Sequence, residues 1–261
     1  MNRTINLKNI LLHSNKITNN KKKHIKLTQN QLYILDTLLN DGGTKQYIDK
    51  QNNLRYSEHS GMFDIANKKI DKIIISATTN REDKDDIEIL LPRTDNYDMK
   101  YEYIFHTHPP TPYAGARSNE GVLYEFPSIN DLYHYAYRYN EGEILGSIVL
   151  APEGMYLIRI KNNIKYIDYP SVKNEKKMHK ISSKINDIAI MKYGTDFYSS
   201  KQQKFYEEVS QDMLYIKKYN NMVKKYFNKN MVVDYYPRIY NRKTGKWDLQ
   251  PILLEIKNKN K

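Results

Sequence analysis

Two hydrophobic periods succeed one another along this chain, and the first is helical. Leu32, Leu35, Leu38 and Leu39 recur on one side of a helix that Thr28 can cap and that the Asn-Asp-Gly-Gly at 40–43 ends. The pattern then changes to strands. IDKIIISATT at 70–79 is rich in β-branched residues, a charged turn follows, and IEILL at 87–91 predicts a second strand. EYIFHTH at 102–108 predicts a third, stopped by Pro109 and Pro110. Residues 110–127 contain Pro, Gly, Ser and Asn and read as a long loop. Helix 128–139 follows, then a hairpin of 144–151 and 155–160 around Pro-Glu-Gly. Farther on, Phe205, Val209, Ile216, Tyr219, Val223 and Phe227 make one stripe, predicting a helix from Lys201 to Asn228 that packs on a core. Two strands are expected around the turn NRKTGK in the C-terminal segment. The mixture is α/β (α+β).

Charge divides the chain more sharply than composition does. Residues 1–30 carry seven Lys or Arg and no acid, residues 31–160 carry 13 basic and 20 acidic, and residues 161–261 carry 22 basic and 10 acidic. An acidic centre therefore lies between two basic flanks, which can hold nucleic acid or another anionic surface. The 261 residues contain no cysteine, so disulfides, zinc fingers and thiol nucleophiles are excluded, and any metal site must use His, Asp or Glu. No apolar run approaches the ~20 residues of a membrane span, and the N-terminus lacks the apolar block of a secretory signal. An intracellular, reducing compartment is the expectation.

Only seven histidines are present, and two stand at 106 and 108. On a strand, residues two apart share a face, so both imidazoles point to one side and Thr107 to the other. Ser128-Ile-Asn-Asp131 is a capping-box pattern that opens the next helix. The first turn of a helix aims Asp131 out of the helix end. If that end abuts the strand tip, His106, His108 and Asp131 form a three-ligand set with one open position, the arrangement of a catalytic zinc. Upstream, Glu58 stands three residues before Gly61, whose missing side chain would permit close backbone approach. A carboxylate near the metal could take a proton from water and pass it to a leaving amine.

E-x-x-G, then H-x-H-P, then S-x-x-D, in that order, resembles the signature of the JAB/MPN metalloprotease family, also called JAMM. A helix before the Glu and a P-x-G-x-Y hairpin, here Pro152 to Tyr156, add to the likeness, which covers residues 28–160. The resemblance implies a cytidine-deaminase-like mixed sheet flanked by helices. It implies one zinc ion on His106, His108 and Asp131, with Glu58 as general acid/base and Ser128 stabilising the oxyanion. It implies hydrolysis of isopeptide or peptide bonds, with conjugates of ubiquitin or a ubiquitin-like protein as partners. The expected organisation is a basic flexible arm at 1–27, a catalytic domain at 28–165, and a basic extension at 166–261 with a long helix and terminal hairpin. Two departures stand out. Eighteen residues separate Pro109 from Ser128 where the family has fewer than ten, and Ile65 stands where glycine is frequent.

Two other classes fit parts of the pattern. One is a catalytically silent scaffold of the same fold; the other is a nucleic-acid-associated protein acting through its basic flanks. The bias toward Lys, Asn, Ile and Tyr is that of A+T-rich coding and resembles proteins of large DNA viruses.

Overall fold

A computed structural model describes residues 23–42, 46–48, 52, 54–56, 58–66, 69–76, 102–109, 123–142, 144–161, 164–194 and 202–256. At its centre lies a six-stranded mixed sheet built from β4 (Ser60–Ala66), β5 (Lys69–Ile75), β6 (Tyr103–Thr107), β7 (Gly146–Ala151), β8 (Gly154–Ile160) and β9 (Met231–Pro237). The strand order is β5-β4-β6-β7-β8-β9. Only β6 and β7 run parallel; they are joined through α2 (Ile129–Asn140), and the other neighbours are antiparallel.

The inner strands β6, β7 and β8 are buried on both faces because they alternate apolar residues to two cores, while the edge strand β5 is largely exposed. On β6, Tyr103 and Phe105 face one layer, formed with α1 (Gln29–Gly42) and the pair β1 (Lys23–Lys26) and β12 (Leu253–Ile256). Ile104 faces the other layer, with α2, α3 (Val172–Tyr193) and α4 (Met213–Tyr226). Two fully buried faces explain why β6, β7 and β8 read as nearly continuous apolar runs. Two small hairpins complete the described elements. β2 (Gln46–Ile48) pairs with β3 (Leu54–Tyr56), and β10 (Ile239–Asn241) pairs with β11 (Lys246–Asp248).

The predicted caps form. Thr28 and Gln31 bond reciprocally at the start of α1: the Thr28 N–H donates to Gln31 Oε1 at 2.9 Å and the Gln31 N–H to Thr28 Oγ1 at 3.3 Å. Gly61 has the expected reason to lack a side chain, since a Cβ there would collide with the Ile74 carbonyl and the Phe105 ring.

Several expectations change. The stretch 201–228 is not one helix. A short helical segment, Gln202–Lys204, passes into a π turn at Phe205–Val209 and stops; Asp212 then caps α4 by accepting from the Leu214 N–H at 2.9 Å. A polar Ser-Gln-Asp run interrupts the apolar stripe there, and a side-chain cap competes with helix continuation. The C-terminal segment makes four strands rather than two, because Pro237 ends β9 and frees the chain to turn. NRKTGK does form the hairpin turn, between β10 and β11. Residues 23–26 of the supposed arm are a strand against β12, with Ile25 and Leu27 buried beside it. The sheet also crosses the expected boundary at 165/166, since β9 pairs along the whole of β8. Strand 87–91 and loop residues 110–122 lie outside the described residues, while Leu123 to Pro127 are loop as expected, but buried.

Candidate metal centre

The site is assembled at the end of β6 that carries the two histidines. Ile104 and His106 share a face, so the register that buries Ile104 under α2 sends His106 to the same side. His108 follows one residue beyond the strand, held to β7 by its N–H donating to the Leu150 carbonyl at 2.7 Å. Between them Thr107 faces the opposite way and anchors the strand end. Its N–H donates to the His59 carbonyl at 2.8 Å and its Oγ1 accepts from the His59 N–H at 2.9 Å.

Asp131 arrives from the first turn of α2. Ser128 caps that helix with both halves of a capping box: its Oγ accepts from the Asp131 N–H at 3.1 Å, and its own N–H donates to Asp131 Oδ2 at 2.5 Å. The box fixes the carboxylate at the helix mouth, where the peptide dipoles favour negative charge.

His106, His108 and Asp131 then meet. His106 Nε2 is 3.1 Å from His108 Nε2 and 3.3 Å from Asp131 Oδ1, and His108 Nε2 is 3.4 Å from Asp131 Oδ2. Bonds of about 2.0–2.1 Å around a tetrahedral zinc would put neighbouring ligand atoms about 3.3–3.4 Å apart. The three separations, one between the imidazoles and one from each imidazole to a different Asp131 oxygen, are close to that spacing, and the donor set fits a divalent cation. Among the described residues it is the one group of three ligand-type side chains so arranged. All three are 3 % exposed or less.

Burial by itself would raise the Asp131 carboxyl, but the charge of His106 and hydrogen bonds from both imidazoles outweigh it and hold the carboxyl well below the usual range. His108 Nδ1 lies 3.3 Å from the Glu125 carbonyl. A carbonyl can only accept, so Nδ1 donates to it, and Nε2 is the nitrogen that a bound cation would take.

Glu58 is buried, 8 % exposed, and lies on the strand side of the site. Ser60 pairs with His106 in the β4–β6 register, and the His59–Thr107 bonds continue it. Two residues before Ser60, that register puts Glu58 opposite His108, on the face the imidazoles share. Ser128, half-buried, borders the site through its bond to Asp131. His134 accepts from Arg138 Nε at 3.4 Å, while His59 points to the other layer with Nε2 2.9 Å from Asp41 Oδ2.

Four supporting residues carry no motif and escape sequence reasoning. Thr107 closes the strand end, the Glu125 carbonyl orients His108, and Glu153 holds the Glu125 N–H at 2.8 Å. The fourth, Tyr219 on α4, donates to the Pro127 carbonyl at 2.5 Å and stacks on Phe126 with ring centroids 4.5 Å apart. The apolar stripe of 205–227 signalled that this helix packs inward, but not that it braces the segment entering α2.

No protein-family model matches the chain, and no solved structure matches it. The chain is similar to an uncharacterized protein of Acanthamoeba polyphaga mimivirus, at 34 % identity over 239 residues. That match takes in 89 % of this chain and 65 % of the viral protein, so the chain spans a little under two thirds of its relative's length. The relative's source is a large DNA virus, the kind of source the codon-biased composition resembles.

Proposed function

We propose that this protein is a zinc-dependent hydrolase of the JAB/MPN type that cleaves isopeptide or peptide bonds, with conjugates of ubiquitin or a ubiquitin-like protein as substrates. The observation that carries the reading is the convergence of His106 Nε2, His108 Nε2 and the Asp131 carboxylate at the mouth of a helix, with the imidazoles 3.1 Å apart, each 3.3–3.4 Å from a different carboxylate oxygen, on the face to which the β4–β6 register brings the buried Glu58. A zinc ion held there would supply Lewis acidity to the scissile carbonyl and acidity to a water molecule.

The remaining steps belong to side chains. Glu58 takes the proton from the attacking water and returns it to the leaving amine, so a single carboxylate serves first as base and then as acid. Ser128 accepts from the Asp131 N–H through an oxygen lone pair, which leaves its hydroxyl proton to donate to the oxyanion. The aromatic packing around Phe126 and Tyr219 keeps the inner side of the site dry, which strengthens each of these interactions.

The test is zinc content by elemental analysis together with cleavage of ubiquitin chains, for the wild type and Glu58→Gln. The expected result is about one zinc per chain in both proteins and cleavage by the wild type alone. Zinc bound with no cleavage of ubiquitin chains, ubiquitin-like conjugates or peptides would instead identify a silent scaffold. Absence of stoichiometric zinc would refute the metal centre.

A second reading rests on α3, where Lys173, Lys176, Lys177, Lys180 and Lys184 are all exposed. That face suits a polyanion, and a gel-shift titration with a steep salt dependence would establish nucleic acid as a further partner.

A further inference from the structure

We propose that Glu153, in the turn between β7 and β8, is a positioning residue for the metal centre, acting through the peptide of Glu125 to set the tautomer and orientation of His108. The inference rests on the metal reading above. It concerns a residue that touches none of the three ligands.

The chain of contacts is short and fully buried. Glu153 Oε1 accepts from the Glu125 N–H at 2.8 Å and from the Tyr156 hydroxyl at 2.6 Å. The same residue 125 presents its carbonyl to His108 Nδ1 at 3.3 Å. One amino acid thus has its N–H clamped by Glu153 and its C=O engaged by a ligand histidine. Glu125 lies in a loop outside the sheet, so strand pairing does not fix its carbonyl. Its neighbours are held separately: the Tyr124 N–H donates to Asn186 Oδ1 at 3.1 Å, and the Pro127 carbonyl accepts from Tyr219. Residue 125 itself is held at its N–H by Glu153.

Glu153 is in turn tightly held. It is wholly buried, Tyr156 binds its side chain, and the Tyr235 hydroxyl donates to its backbone carbonyl at 3.0 Å. Among the described residues Oε2 has no hydrogen-bond partner. A buried carboxylate anion would leave that oxygen's charge uncompensated, at great cost. Burial and the nearby Glu125 charge push the carboxyl up, against the hydrogen bond from Tyr156, to about 8. Glu153 therefore works as a neutral acid. Its carbonyl-type Oε1 accepts both bonds, and the glutamine amide oxygen can do the same.

A functional role separates from a merely structural one by comparing Glu153→Gln with Glu153→Leu. Leucine fills similar space but leaves the Glu125 N–H and the Tyr156 hydroxyl without their acceptor. Zinc affinity is read by competition with a chromogenic chelator, and the His108 tautomer by nitrogen-15 NMR of the metal-free protein. Leu35→Ala, a cavity in the opposite layer, controls for loss of stability alone. Glu153→Gln should stay within about threefold of wild type and keep the Nδ1–H tautomer. Glu153→Leu should lose about 10–100-fold in zinc affinity and mix the tautomers, as supporting partners of ligand histidines do when removed. The proposal is overturned if Glu153→Leu matches Leu35→Ala in both readouts, or if Glu153→Gln fails as badly as Glu153→Leu. Should the wild type bind no zinc, the metal reading fails, and the tautomer of His108 in the metal-free proteins still decides for or against Glu153.

Discussion

A neutral carboxyl buried at neutral pH leaves a signature in stability that a contact map does not show. The perturbation is Glu153→Gln, measured with chelator present so that no metal adds its own proton linkage. The folded-state carboxyl is pushed up to about 8 by burial and by Glu125, from an ordinary value of 4.5. Below about pH 4.5 both folded and unfolded chains hold the proton, and the group contributes nothing to the pH dependence. Above it the unfolded chain releases the proton while the folded chain keeps it. The folded state then binds more protons, so stability falls as pH rises, by about 1.4 kcal/mol per unit, until the penalty levels off above about 8. Glutamine has no proton to lose, so the variant escapes this slope. It still carries a buried NH2 group needing an acceptor, a cost of about 1–3 kcal/mol that does not vary with pH. The diagnostic quantity is therefore the change in the gap between the two proteins. From pH 5 to pH 7 that gap should move by about 3 kcal/mol in favour of Glu153→Gln. Urea unfolding at pH 5, 6 and 7 measures it, as a relative midpoint shift of about 1 M for a slope near 3 kcal/mol/M. Histidine titrations common to both proteins cancel in the difference. A gap constant across this range would refute the neutral, buried acid, and so would a gap moving the other way.

Other consequences can be checked separately. Zinc at about a hundred times its Kd should stabilise the wild type by about 2.7 kcal/mol, raising Tm by roughly 5–10 °C; the shift should vanish in His108→Ala, and an equal shift in both proteins would place the metal elsewhere. The same zinc effect should weaken as pH falls, since protons compete with the metal for the ligand nitrogens. Ser128→Ala removes the acceptor for the Asp131 N–H and should cost about 0.5–2 kcal/mol in metal-free unfolding, with a further loss of turnover if the hydroxyl also serves the oxyanion. Gly61→Ala should destabilise by about 1–3 kcal/mol or more, because the new methyl meets backbone on one side and a core ring on the other; an unchanged urea midpoint would show that β4 and β5 can part there.

What the sequence determined by itself is local. The Leu positions of α1, the alternation in β6 and the Ser128–Asp131 spacing prescribe a helix, a strand and a capped helix start, because periodicity and capping act over a few residues. The faces follow too: a two-residue separation places His106 and His108 on one side whatever else the chain does. What only the tertiary structure decided is convergence. Asp131 lies 23 positions beyond His108, and nothing in either motif says that the mouth of α2 closes on the tip of β6; the parallel β6–α2–β7 crossover does that. The helix break at Asp212 turns on a cap outcompeting a propensity stripe. The strand β9 joins the sheet because its buried face completes a core that the first 165 residues leave open. Glu153 was legible only as a turn residue, since its role depends on a peptide 28 positions away, and contacts of that separation are set by packing rather than by neighbours in sequence.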